Sequence, residues 1–172
     1  MTGIEILNVK VSFEIPFYFT EKNLKNTIAF TKTQSRLSFK HENNSFFILG
    51  NKRNHFNITG LHFIPDKLYI SKKFSEVCDK ELNPEFILTF DSICAKLMVR
   101  PNIFRLINSD PETAEKLYLN NYVLKRHIYF CGLSLKHSTG NCSNIFKNGR
   151  VTCFGFKSLS EIINLKDFLL SL

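Results

Sequence analysis

Apolar and polar positions alternate at the start of the chain: Leu7, Val9, Val11 and Phe13 fall on one side, Asn8, Lys10 and Ser12 on the other. Period two predicts a strand with one covered face over 6–13, closed by Pro16. Thr20, Asn23, Leu24, Thr27 and Ile28 then fall at helical spacing, which predicts a helix capped at Thr20. Three strand-like runs follow at 35–41, 45–49 and 55–61, the last two joined by the turn-rich residues 50–54. Pro65 and Asp66 open a second predicted helix from 67 to about 80.

After Asn83 and Pro84 the order recurs. A strand is predicted at 86–99, helical segments within 101–125, and strands at 128–137, 142–146 and 150–156. The last two meet in a hairpin at Asn148-Gly149, and a terminal helix runs from 158 to 172. Leu37-Ser38-Phe39-Lys40-His41 matches Leu133-Ser134-Leu135-Lys136-His137, and Ile58-Thr59-Gly60 matches Cys153-Phe154-Gly155, at nearly the same offset. The chain reads as one unit written twice, residues 1–84 and 85–172. Each copy is too small to be comfortable alone. Two copies sharing a continuous antiparallel sheet, with helices on one face, give an α+β fold whose other sheet face is left wet or bound.

With 172 residues, 44% hydrophobic and 13% aromatic, there is ample material for a core, so disorder is excluded for most of the chain. A formal charge of +8 suits a polyanionic partner. The excess is spread over both halves, +3 up to residue 90 and +5 beyond it. No apolar run reaches 18 residues and Met1-Thr2-Gly3-Ile4-Glu5 lacks signal-peptide order, so a soluble intracellular protein is expected, without membrane contact. The five cysteines contain no C-x-x-C and read as reduced core thiols. No metal motif, Ser-His-Asp order or glycine-rich phosphate loop is present, so the expectation is no enzyme, no cofactor, no metal and no small-molecule substrate.

Asn144-Ile145-Phe146, Asn148-Gly149-Arg150-Val151-Thr152 and Cys153-Phe154-Gly155-Phe156-Lys157-Ser158 together resemble a signature of the TATA-box-binding protein family: an L-I-F strand, a Gly-Lys turn, a Val-rich strand and T-G-A-K-S. Phe130-Cys131-Gly132-Leu133-Ser134-Leu135-Lys136 is similar to its F-P-G-L-I-Y-R strand, Ile6-Leu7-Asn8-Val9 to its I-x-N-V opening, and Ile58-Thr59-Gly60 to its V-T-G. The resemblance implies a pseudo-symmetric duplicated saddle, with the sheet on the concave face and helices on the convex one. It implies a transcription initiation factor that binds and bends A·T-rich double-stranded DNA from the minor groove and recruits other initiation factors or RNA polymerase subunits.

By the same resemblance Asn8 takes a groove-floor position, with Lys10, Ser12 and Ile93 beside the groove. Phe130 and Phe146 form the second repeat's wedge, and Phe47 or Leu49 supplies a first-repeat wedge residue. Lys40, Lys136, Lys147, Arg150 and Lys157 lie within reach of phosphates. Phe130 and Phe146 read equally as core rings, and Lys40-His41 and Lys136-His137 as the polar ends of exposed strands. The sequence departs from the family at Gln34, which stands where Phe130 has its first-repeat counterpart, at Lys10, and at Asp91 or Ser92, one of which replaces a second Asn. These departures leave open a second role, a saddle that binds polypeptides without independent DNA binding. Nuclear localisation is implied by analogy, and a cytoplasmic viral replication site fits equally well.

Overall fold

The first strand, β1 (Ile4–Glu14), forms where the alternation places it in the computed structural model, which describes residues 3–126 and 131–172. Backbone packing divides the chain into two compact units, one of Asn8–Asp91 and one of Met1–Leu7 with Ser92–Leu172.

In the Asn8–Asp91 unit, β2 (Phe30–Lys32), β3 (Arg36–His41), β4 (Asn44–Leu49) and β5 (His55–Leu61) lie in the order β2-β3-β4-β5-β1. All of these pairings are antiparallel. Helix α1 (Lys67–Val77) is capped by Asp66, whose carboxylate accepts the Tyr69 N–H at 2.7 Å. Its buried residues Ile70, Phe74 and Val77 recur at helical spacing. Phe74 meets Phe13 and Phe56 with ring centroids 6.2 and 5.1 Å apart, which fixes the Val9, Val11, Phe13 side of β1 as the helix-covered face. Phe19, Phe39 and Phe46 extend this ring cluster. Burying each ring contributes about 1.5–3 kcal/mol, as does each of the buried Val, Leu and Ile side chains packed with them.

The second unit also has five strands and a C-terminal helix, with two further helices after its first strand. It contains β6 (Thr89–Met98, of which Ser92 onward belongs to it), α2 (Asn102–Ser109), α3 (Pro111–Leu119), β7 (Tyr122–Arg126), β8 (Gly132–His137), β9 (Cys142–Phe146), β10 (Arg150–Phe156) and α4 (Leu159–Ser171). The strands run antiparallel in the order β6-β10-β9-β8-β7. Asp110 caps α3 and Ser158 caps α4. Ile93, Ala95, Leu97, Leu133, Leu135, Ile145, Val151 and Cys153 are buried on the strands, and Ile162, Leu165 and Leu169 on α4. Tyr122 of β7 stacks on Phe168 of α4 at 5.3 Å, so the helix lies on the same side as these apolar residues.

Several expectations need correction. The helix from Thr20 is only a single 3-10 turn, Glu21–Asn23. Its capping box forms, but Leu24 is extended and bridges Cys78, while Lys25 N–H donates to Val77 O and Asp79 N–H to Asn23 O. Those tertiary bonds take the backbone groups a longer helix needs. Residues 122–125, expected within helical segments, belong to strand β7 after a turn in which Asn121 adopts φ 62°. Only Cys78 and Cys153 are core thiols; Cys94 and Cys142 are half-buried and Cys131 is exposed. No helix among the described residues is long and apolar enough to cross a membrane.

Candidate nucleic-acid interface

In the Asn8–Asp91 unit, the sheet face turned away from α1 carries Asn8, Lys10 and Ser12 from β1, Asn57 and Thr59 from β5, Phe47 and Leu49 from β4, and Arg36, Ser38 and Lys40 from β3. Gly60, at φ +91°, makes a bulge in β5: the register jumps from Val9↔Leu61 to Val11↔Ile58. The bulge aims the Gly60 N–H at Asn8 Oδ1, 2.9 Å away, and the Thr59 hydroxyl donates to the same oxygen at 3.3 Å. A backbone N–H can only donate, so the amide orientation is fixed. The oxygen is held inside the protein and the Nδ2 amino group is left to meet a ligand.

Beside it, the Lys10 ammonium lies 3.5 Å from the Asp91 carboxylate, and the Ser12 hydroxyl donates to Asp91 at 2.9 Å. Asp91 is therefore paired with a cation on this face. The Phe47 ring lies between two cations, the Arg36 guanidinium at 4.4 Å and the Lys10 ammonium at 5.2 Å. Leu49 is 39% exposed, and Lys40 is exposed further along the same face.

In the second unit, the corresponding outer face carries Ser92, Cys94 and Lys96 from β6, Arg150, Thr152 and Phe154 from β10, Cys142, Asn144 and Phe146 from β9, Ser134 and Lys136 from β8, and Val123 and Lys125 from β7. The Arg150 guanidinium caps the Phe146 ring at 4.4 Å. Ser134 Oγ donates to Asn144 Oδ1 at 2.7 Å. Lys96 pairs with Glu5 at 2.6 Å. Lys136 is exposed, as is Lys157, which lies just after β10, its N–H donating to Glu161 at the start of α4.

Ile93 does not belong to this face. It is 1% exposed, on the core side of β6 with Ala95 and Leu97, because the alternation of the strand presents Ser92 and Cys94 instead. Phe130 lies outside the described residues. The remaining expected residues fall on the outer face of one unit or the other, apart from Lys147 in the β9–β10 turn and Lys157 on the loop after β10.

Strand registers give the internal correspondence between the units. Ser38 faces Phe47 and Ser134 faces Asn144; Arg36 faces Leu49 and Gly132 faces Phe146. Leu49, not Phe47, thus occupies the register position of Phe146, and Phe47 that of Asn144. Gly155 repeats the Gly60 bulge at φ +75°, with the register jumping from Cys153↔Ala95 to Phe156↔Ile93. Val9 then corresponds to Ile93 and Asn8 to Ser92, so Asp91 is not the counterpart of Asn8. Asn144 and Arg36 were not singled out from the sequence, although the alternation of Cys142, Asn144 and Phe146 against Ser143 and Ile145 carries the signal for Asn144.

One group of potential metal ligands is present among the described residues, His41, Glu42 and Glu76. The Lys73 ammonium occupies its centre, 2.7 Å from both carboxylates. Burial lowers the pKa of Lys73, but its hydrogen bonds to Glu42 and Glu76 outweigh burial and raise it. The lysine already supplies the cation that two carboxylates need, so the cluster serves to tie the β3–β4 turn to α1.

By sequence, the chain matches no known protein family and no curated protein. Among solved structures it is similar to Methanococcus jannaschii TBP, with a TM-score of 0.64 and 16% identity over 98% of this chain and 99% of that one. The likeness shows a TBP-like fold.

Proposed function

We propose that this chain is a non-enzymatic DNA-binding protein of the transcription initiation machinery, built as two repeats whose outer sheet faces lie on the minor groove of A·T-rich DNA. The observation that carries the reading is Asn8. Its oxygen is held by Gly60 and Thr59, and its amino group is left on the sheet face turned away from α1. A·T pairs show only acceptors in the minor groove, which an amide donor satisfies, whereas the guanine amino group opposes it. Phosphates are met by Lys10, Lys40, Lys136, Arg150 and Lys157, with Arg36 added by its position. Phe146 is the wedge residue, with Leu49 at the matching register of the other unit. The partners are other initiation factors or polymerase subunits, in the nucleus or at a cytoplasmic viral replication site.

A specific observation favours a second reading, a sheet face that binds polypeptide. Asp91 puts an acid on the outer face, and Leu49 stands at the register where the other unit has Phe146, so the Asn8–Asp91 unit has no aromatic wedge there. A salt series separates the two. DNA binding through phosphates predicts that log K falls linearly with log salt, with a slope near −0.9 per contacted phosphate. Reversing charge at Arg150 and Lys40 should reduce that slope by about 1 each. A chain without salt-sensitive duplex affinity supports the polypeptide reading.

A further inference from the structure

Resting on the minor-groove reading, we propose that Asn144 is a second base-reading residue, which replaces on β9 the amide that the second unit lacks on β6. The register correspondence shows the gap. In the Asn8–Asp91 unit the amide sits on β1 at Asn8, and the position matching Asn144 is filled by the Phe47 ring. In the other unit the position matching Asn8 is Ser92, whose hydroxyl lies 3.8 Å from the Cys94 thiol, and the amide appears on β9 instead. Amide and non-amide positions are thus exchanged between the units.

The surroundings of Asn144 suit a reader. It is half-buried on the outer face, two residues from Phe146, and faces Ser134 on one side and Thr152 on the other. Ser134, itself 7% exposed, donates its hydroxyl hydrogen to Oδ1 at 2.7 Å. With its oxygen so occupied, Asn144 offers the two N–H donors of Nδ2 to the groove, the chemistry that Gly60 imposes on Asn8. Thr152 and Ser134 are small, so the ligand reaches the amide without displacing a large side chain. Arg150, over the Phe146 ring, supplies the neighbouring positive charge for a phosphate. The substrate feature recognised is an adenine N3 or thymine O2 acceptor in the minor groove.

The test compares the full chain with Asn144→Ala, Asn144→Asp and Ser134→Ala, binding fluorescent A·T-rich and G·C-rich duplexes by anisotropy over a salt series. Circular dichroism melts confirm that each variant folds. The proposal expects Asn144→Ala to lower the A·T over G·C affinity ratio about fivefold or more, in the range of one lost base contact. The salt slope should stay unchanged because no phosphate contact is lost. Asn144→Asp should lower the ratio further, and Ser134→Ala partially, by freeing the amide to rotate. An unchanged ratio in a folded Asn144→Ala chain that still binds DNA overturns the role of Asn144 alone. A salt-dependent loss equal on both duplexes makes it a backbone contact and also overturns the proposal. Failure of the unsubstituted chain to bind any duplex overturns the minor-groove reading, and this inference with it.

Discussion

The Gly60 N–H donates to Asn8 Oδ1 at 2.9 Å, so a bulge in β5 determines which end of an amide on β1 meets the outside. The two residues lie on neighbouring strands, 52 positions apart in sequence. This arrangement joins the fold to the proposed chemistry, because the bulge exists only where a glycine tolerates φ +91°.

Replacing Gly60 tests that connection. A Cβ there would lie 2.8 Å from the Asn43 carbonyl oxygen, on a backbone that L residues rarely adopt. Gly60→Ala should destabilise the chain by about 1–3 kcal/mol in urea unfolding. It should also weaken A·T preference at temperatures where the variant is still folded. Wild-type stability in this variant would contradict the assigned bulge.

Asp91 gives a prediction of opposite sign. Asp91→Asn keeps an acceptor for the Ser12 hydroxyl and removes the negative charge beside Lys10. Duplex affinity should rise severalfold at low salt, with the gain shrinking as salt screens it. An unchanged affinity at low salt would remove this face from the DNA contact.

Lys73 contributes to the acid behaviour of the Asn8–Asp91 unit, as does Lys32, whose hydrogen bond lowers the pKa of Glu21. The hydrogen bond from Lys73 lowers the pKa of Glu42. A depressed carboxylate contributes stability that is present above its unfolded value and is lost as pH falls through the folded one. The urea midpoint should therefore drop below about pH 4, and Lys73→Met should flatten that part of the profile. The raised pKa of Lys73 itself keeps the ammonium charged well into the alkaline range. At neutral pH the same variant should cost about 1–2 kcal/mol.

Thiol chemistry supplies an independent check on the core. Burial pushes the Cys153 thiol up to about 12 and also raises Cys78, whereas Cys131 is exposed. Ellman's reagent should modify Cys131 in the native chain and reach Cys78 and Cys153 only on unfolding. Because the folded state holds the Cys153 proton more tightly, stability should fall as pH rises above the unfolded thiol value of about 8.5. Rapid native modification at Cys153 would contradict its place in the core.

The alternation of Val9, Val11 and Phe13 against Asn8, Lys10 and Ser12 made β1 and its outer face legible, since one covered face leaves a period of two. The strands 55–61, 142–146 and 150–156 were legible for the same reason, whereas the short strand β2 was not read at all. The cap at Thr20 was legible as local chemistry, but the helix expected beyond it is a single turn. Its failure to propagate depends on bonds to Val77 and Asp79, which lie far away in sequence. Strand β7 was hidden because its turn rests on Asn121 in a left-handed conformation, and helix and strand patterns are alike over five residues. The correspondence of Ser92 with Asn8 depends on bulges at Gly60 and Gly155 that composition does not reveal, whereas the core position of Ile93 follows from its alternation with Ser92 and Cys94.

The central claim, amide reading of the minor groove, is tested most directly by anisotropy with three duplexes of the same length: A·T, G·C and inosine·C, the last lacking the guanine amino group that marks a G·C minor groove. The account predicts that inosine·C binds like A·T and tighter than G·C at the same salt, and that Asn8→Asp abolishes the difference. Inosine·C binding like G·C, or equal binding of all three duplexes by the unsubstituted chain, would contradict it.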